Sequence, residues 1–346
     1  MKNIIKRIFY AILVLLGIVA LVFVLFQGLG DPAKLMIGQT GDKKTMANIQ
    51  KELCLDQPKW KQFFLYLNDV SPVGVHSVTE IQKKELKGIF VGENIKLGFK
   101  IPYLRKSYQT KKNVVTVLTE ALPGTLLLAL TAMLFATLTG IFLGILAAVK
   151  KDSWVDTTAI FTSIAGISAP SFFMAIIIAY FFGVVLHPYT HLNLTGSWFN
   201  VDEVTGEKYL TLKNLILPAF TLGIRPLAII TQLTRSSMLD VLNQDYIRTA
   251  YAKGLSKRTV IFKHALRNAL NPVITAITGW FAELLAGAFF VEYIFGWQGI
   301  GKITVDALEK LDYPVVMGSV LISACIFIFI NILADLLYTM IDPRVR

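Results

Sequence analysis

The sequence predicts an all-α integral membrane protein with six transmembrane helices, and three observations carry that prediction. Hydrophobic residues make up 54% of the chain and charged residues 16%, with a mean hydropathy of +0.59, too apolar for a water-soluble protein of 346 residues. Six apolar stretches each approach or exceed the roughly 20 residues that a bilayer crossing needs. Positive charges in the short connections gather on one side of those stretches.

Lys2, Lys6 and Arg7 precede the first apolar run, Ile8 to Leu29. A cleaved signal sequence begins this way, but its apolar part spans about 7–15 residues and ends at a small-residue cleavage site. This run is longer and lacks Ala-x-Ala, so it is expected to stay as a span. From Gly30 to Asn113 the chain turns polar and lysine-rich, an enlarged loop expected to fold as a cap outside the membrane. Within it Met46, Ile49 and Leu53 follow helical spacing up to Pro58, and Trp60, Phe63, Phe64 and Leu67 predict a second amphipathic helix.

Five further spans are expected at about 121–149, 158–186, 212–233, 273–291 and 315–340. Six crossings put both termini on one side. Lys2, Lys6, Arg7, Lys150, Lys151, the basic loop at 240–272, Arg344 and Arg346 share that side, which makes it cytoplasmic. The opposite short loops carry Asp202, Glu203, Glu207, Asp306, Glu309 and Asp312, partly balanced by Lys208, Lys213, Lys302 and Lys310. Pro123, Pro170, Pro218 and Pro226 read as kinks that neighbouring helices tolerate, and Gly140 with Gly144 as a GxxxG contact between helices. The expected divisions are 1–29 for the first helix, 30–113 for the cap, 114–341 for a five-helix core and 342–346 for a cytoplasmic tail.

The densest polar patch is the loop from Asp240 to Pro272, DVLNQDYIRTAYAKGLSKRTVIFKHALRNALNP. Asp245 to Lys253 predicts a short helix with Ile247, Ala250, Tyr251 and Gly254 on one stripe. Lys253 suits the negative end of that helix, and Gly254 suits the left-handed residue that stops one. Ser256 is placed to cap a second helix, Lys257 to Ala269, which carries Lys257, Arg258, Lys263 and Arg267 beside Val260, Ile261, Ala265 and Leu266. The result is an L-shaped knob with three or four apolar side chains to fill a partner's groove, at roughly 1.5–3 kcal/mol for each fully buried.

At these residues the chain resembles the membrane subunits of ABC importers. Those subunits carry a cytoplasmic loop of the pattern Glu-Ala-Ala, three residues, Gly, nine residues, Ile-x-Leu-Pro, and Arg248, Thr249, Ala250, Gly254, His264, Leu266 and Arg267 fall on those positions. DYIRTAYAKGL followed by HALRNAL is similar to the B-type subunit of the dipeptide/oligopeptide permeases. The likeness extends to Asp31–Gly38, Leu55–Pro58, LPAFTLGIRPLAIITQLTRSSMLDVL, VDALEKLDYPVVMGSV and YTMIDPRVR, whereas the stretch from Ser71 to about Ile95 reads as an insertion.

The resemblance implies a type I ABC importer permease fold in the inner membrane of a prokaryote. It implies a heterodimer with a second homologous permease, cytoplasmic ABC ATPases that use ATP and magnesium, and an extracytoplasmic solute-binding protein. The ATPase-coupling residues are then Asp245, Tyr246, Arg248, Thr249, Ala250, Ala252, Lys253, Gly254, Leu255, His264, Leu266 and Arg267, within a coupling loop at 235–272. Peptides are the implied cargo, with nickel complexes or another small solute as the alternative within the family. A self-sufficient ion-coupled transporter is the alternative outside it; that class predicts inverted repeats, which the sequence does not display.

Arg225 and Glu283 each fall inside a span, where a charge costs about 2.5–3.5 kcal/mol on insertion scales. Both are therefore expected to face the bundle interior. Two readings stay open: they line the translocation pathway, with Arg225 toward a peptide carboxylate and Glu283 toward an ammonium, or they form a salt bridge that fixes the bundle. Glu292 and Asp335 lie near span ends, close to interfacial water, and read as structural or gating residues.

Other chemistries find little support. The net charge of +11 arises from residues that flank apolar spans rather than from a groove with stacking aromatics, which argues against nucleic acid. Gly296 to Ile303, GWQGIGKI, nearly spells a phosphate-binding loop, but Ile303 replaces the hydroxyl residue and a membrane span precedes it. His187 and His191 sit in an outward loop with Pro188 between them, and Cys54 and Cys325 lie in unlike settings, so neither a metal site nor a disulfide is expected. No catalytic motif is recognised, and no cofactor is expected on this chain.

Overall fold

The computed structural model describes residues 2–28, 50, 55–201 and 205–341. The motif Asp31–Gly38, the expected helix through Met46, Ile49 and Leu53, Cys54, Asp202, Glu203 and the tail 342–346 lie outside the described residues, as does the side chain of Asp335. The chain divides into two compact units, residues 1–121 with 303–325, and residues 122–302 with 326–346.

The first unit begins with α1 (Lys2–Gly28), whose Leu13, Leu21, Val24 and Leu25 face outward. Helix α2 (Lys59–Val70) is the amphipathic piece that the spacing of Phe63, Phe64 and Leu67 predicts. It lies against α1 through Phe63 and Tyr66, whose rings sit 5.3 and 5.9 Å from that of Phe23, and through a 2.7 Å hydrogen bond from Gln27 to Gln62.

The expected insertion is a folded piece containing β-structure, so the fold is mostly helical rather than all-α. Strands β1 (Val73–Ser77), β2 (Gly88–Val91) and β3 (Ile95–Lys100) form an antiparallel sheet in the order β1-β3-β2. Its register pairs Val75 with Leu97 and Val91 with Leu97. Alternation in IKLGFK is the sequence signal for β3. Between β1 and β2 a short helix, α3 (Val78–Lys83), starts in a reciprocal cap: Glu80 N donates to Ser77 Oγ at 3.2 Å and Ser77 N to Glu80 Oε2 at 3.0 Å. Beneath the sheet, Lys100 donates to the carbonyls of Asp69 and Ser71, while Lys84 pairs with Asp69 at 2.6 Å. His76 is buried beside them, and desolvation with the Lys100 charge holds its pKa below the ordinary value. Burial likewise brings the Lys100 amine down to about 8, against the opposing pull of Asp69.

The second unit is organised on α7 (Ile216–Leu242), which packs against α5 (Trp154–Ser168), α6 (Ser171–Tyr180) and α9 (Leu266–Gly287). Glycine brings backbones close where helices cross. In α4 (Val114–Val149), a Cβ on Gly140 would sit 2.9 Å from Ile230, and one on Gly144 would sit 2.5 Å from Thr234, so the GxxxG pair serves the packing the sequence assigns to it. Strands β4 (Phe199–Val201) and β5 (Lys208–Leu210) form a hairpin in the loop before α7.

Two expected spans are not continuous helices. α5 and α6 meet at a 108° bend, because Ala169 precedes Pro170 and adopts the extended backbone (ψ 131°) that the proline ring enforces. The segment 273–291 breaks at Ala288 between α9 and α10 (Phe289–Ile294). Helix α11 (Ile300–Glu309) follows, and α12 (Tyr313–Ile341) closes the chain. Among the described residues four helices are long and apolar enough to cross a membrane, or five if the bent pair is one crossing, where the sequence predicts six.

Candidate functional site

The knob folds as its local signals dictate, though its apolar stripe is used differently. Helix α8 (Asp245–Ala252) ends at Gly254 with φ +76°, and Ser256 Oγ accepts from Thr259 N at 3.3 Å to open the next helix. That second helix does not end at Ala269. Lys257–Thr259 leads through a π-helical run, Val260–Ala265, straight into α9, which continues past Pro272 to Gly287. The knob is thus the turn between α7 and α9.

Its apolar residues are spent internally. Ile247, Ala250, Val260, Ile261 and Ala265 are buried with Met238 of α7 and with Ile145 and Ala148 of α4. They are therefore not free to fill a partner's groove, the role that their stripe predicts. Tyr246, Tyr251, Leu255 and Phe262 are the large apolar residues left exposed, Phe262 by 54%. Phe262 escapes the sequence reading because the loop pattern places no motif position there.

The remaining expected loop residues surround that face. Asp245, Arg248, Thr249, Ala252, Lys253 and Arg267 are exposed, with Arg248 3.5 Å from Asp245, whereas His264 and Leu266 are half-buried. Tyr246 is held in place by Asn268, which donates to its hydroxyl at 2.8 Å.

Arg225 on α7 and Glu283 on α9 line one cavity of about 150 Å³, with Trp280, Thr221, Ser171 and Met174 among its walls. The Arg225 guanidinium lies 5.7 Å from the centre of the Trp280 ring. Among the described residues no ion pair joins Arg225 to Glu283, and both side chains are exposed to the cavity side.

Glu292 is not near water as its sequence position suggests; it is fully buried. Its carboxylate accepts from Thr125 Oγ1 at 2.8 Å, Gly301 N at 2.7 Å and Lys302 N at 3.2 Å, so it caps the first turn of α11. This explains the false phosphate loop. A Cβ on Gly299 would sit 2.3 Å from Glu292 Oε2 and one on Gly301 2.9 Å, so the glycines admit an internal carboxylate where a nucleotide-binding loop admits phosphate.

A further contact is not legible in sequence: Arg235 of α7 forks onto Asp156 of α5, with one bond at 2.8 Å and a second from Nε to Oδ1. His187 and His191 are exposed, and His187 Nδ1 lies 2.7 Å from Leu192 O.

Residues 140–346 match the family described as the binding-protein-dependent transport system inner membrane component, and residues 1–78 match its N-terminal region. The chain belongs to this family. It is 44% identical to the dipeptide transport system permease protein DppB of Haemophilus influenzae over 69% of this chain and 76% of that protein. To the protein of the same name from Escherichia coli K12 it is 36% identical over 100% of this chain and 99% of that one. In fold, it resembles a chain of the inward-facing MetNI methionine ABC transporter, with a TM-score of 0.51 at 15% identity over 66% of this chain and 97% of that one. It is thus a membrane-spanning permease component of a transport system, built on a fold shared with an ABC transporter.

Proposed function

We propose that this chain is the peptide-translocating permease subunit of an ATP-driven importer, working by alternating access in the cytoplasmic membrane. The observation that carries the reading is continuity: the knob joins the two helices that carry Arg225 and Glu283. Arg225 lies 17 residues before Leu242 at the end of α7, about 26 Å along the helix at 1.5 Å per residue. A tilt imposed on α8 moves Met238 through Ile247 and Ala250, and so reaches the cavity.

In this reading the ATPases dock on Tyr246, Tyr251, Leu255 and Phe262, rimmed by Lys253, Arg248 and Arg267. A second homologous permease completes the pathway, a solute-binding protein delivers the cargo from outside, and the cap faces that protein. Both termini and residues 235–272 are cytoplasmic, with six crossings in all. Arg225 and Glu283 line the pathway; Glu292 and Asp335 are structural or gating residues. ATP and magnesium belong to the partner ATPases, and the chain itself performs no covalent chemistry. Peptides are the favoured cargo because the relatives above carry dipeptide transport in their names.

The test is uptake of labelled alanyl-alanine into proteoliposomes holding the complete transporter and its binding protein. Uptake that requires ATP inside the ATPase compartment supports the reading. Uptake without ATPases, driven by an imposed proton or sodium gradient, overturns it.

A further inference from the structure

We infer that the cavity between α7 and α9 is a two-ended subsite that reads both charged termini of an unblocked peptide; this rests on the peptide-importer reading above. Two charges of opposite sign, Arg225 and Glu283, open onto the same cavity. In a bundle stabilised by their mutual attraction they would pair, yet among the described residues no ion pair joins them. Ionisable residues that face a cavity within the membrane, rather than one another, mark a pathway for charged cargo. A ligand with one charge answers one of them; a zwitterion answers both.

The surroundings narrow the class. Trp280 packs against the guanidinium, its ring centre 5.7 Å away, and leaves the in-plane N–H donors of Arg225 available to a carboxylate. Thr221 and Ser171 supply hydroxyls, while Met174 and Leu284 supply apolar wall. The cavity, about 150 Å³, brings the two charges and these walls to one small volume. Arg225 therefore takes the terminal carboxylate and Glu283 the terminal ammonium.

The experiment measures ATP-dependent uptake by the reconstituted complete transporter of dialanine, N-acetyl-dialanine, dialanine amide and tetraalanine, each preloaded on the binding protein. Wild type is compared with Arg225→Gln and Glu283→Gln. Because the binding protein is the same throughout, its own preferences cancel when the ratio of free to blocked ligand is compared between variants. Glu283→Gln should lower the free-to-acetylated ratio about tenfold to a hundredfold, the size of one hydrogen bond to a charged group, and leave the free-to-amide ratio in place. Arg225→Gln should do the reverse.

Equal loss for all four ligands, or ratios that do not move, overturns the subsite. So does recovery of wild-type ratios in the exchanged pair Arg225→Glu with Glu283→Arg, which marks a structural ion pair. If the glutamine variants do not assemble, Arg225→Lys and Glu283→Asp must shift the same ratios, each for its own terminus; unshifted ratios there also overturn it. A wild-type transporter that takes up none of the four while hydrolysing ATP in response to another solute marks failure of the peptide reading itself.

Discussion

Replacing Glu292 perturbs the best-defined polar contact in the second unit. Alanine there leaves Thr125 Oγ1 and the amides of Gly301 and Lys302 without their acceptor. Each unsatisfied buried group costs about 1–3 kcal/mol, which for the three gives roughly 3–9 kcal/mol as an upper bound. Relief from burying a carboxylate, several kcal/mol in effective terms, offsets part of this, so the net loss is expected at about 2–5 kcal/mol. Glutamine keeps one oxygen over the helix end and should cost about half as much. Gly299→Ala adds a Cβ 2.3 Å from Glu292 Oε2, an oxygen pinned by its two amide donors. That substitution should therefore destabilise the wild type by about 1–3 kcal/mol and the alanine variant by much less. The assay is denaturation of the purified transporter in mixed micelles, reading midpoints for the four members of the cycle. Additive effects of Gly299→Ala and Glu292→Ala, or an alanine variant as stable as wild type, would show that the Glu292 carboxylate does not hold the start of α11.

Three other outcomes are expected. Gly144→Val should force α4 from α7 against Thr234 and lower stability by about 1–3 kcal/mol or more, whereas Gly17→Ala, with nothing within 4 Å, should be neutral; melting of the purified protein reads both. Arg235→Met should cost about 1–3 kcal/mol by leaving Asp156 with only its bond from Asp152 N, and Asp156→Asn in the same chain should recover part of it. In the cap, Lys100 and His76 are both held below their ordinary pKa, so the unfolded cap binds protons more tightly than the folded one. Their contribution to stability is lost as pH falls, from 10.5 toward about 8 for Lys100 and below 6.5 for His76. Amide exchange in β1 and β3, corrected for intrinsic rate, should then be less protected at pH 5.5 than at 7.5; equal or greater protection at 5.5 contradicts the assignment.

What the sequence discloses is local. Gly254 and Ser256 carry their own backbone instructions, and both act as their chemistry requires. Gly140 and Gly144 announce a close crossing without naming the partner, which proves to be Ile230 and Thr234 of α7. Tertiary destinations stay hidden. Pro170 signals a kink, but the size of the bend depends on what the two halves pack against. Asp156 and Arg235 are 79 residues apart, and no periodicity links them. The knob's apolar stripe is legible as a stripe, while its burial against Ile145 and Met238 is a property of the assembled bundle. The cap's sheet was available in the alternation of IKLGFK, a signal easily lost among lysines in a chain dominated by helical spans.

In the proposed transporter the exposed face of the knob couples the ATPases to the pathway. The most direct measurement is retention of the ATPase subunits on the purified permease, paired with ATP-dependent dialanine uptake, for Phe262→Glu and Tyr251→Glu. Both side chains are exposed, so the variants should fold as the wild type does, lose the ATPases during purification and lose uptake at least tenfold, as expected when an aromatic anchor is replaced by a charge. Full retention and undiminished uptake in both variants would contradict the claim that this face is the coupling surface.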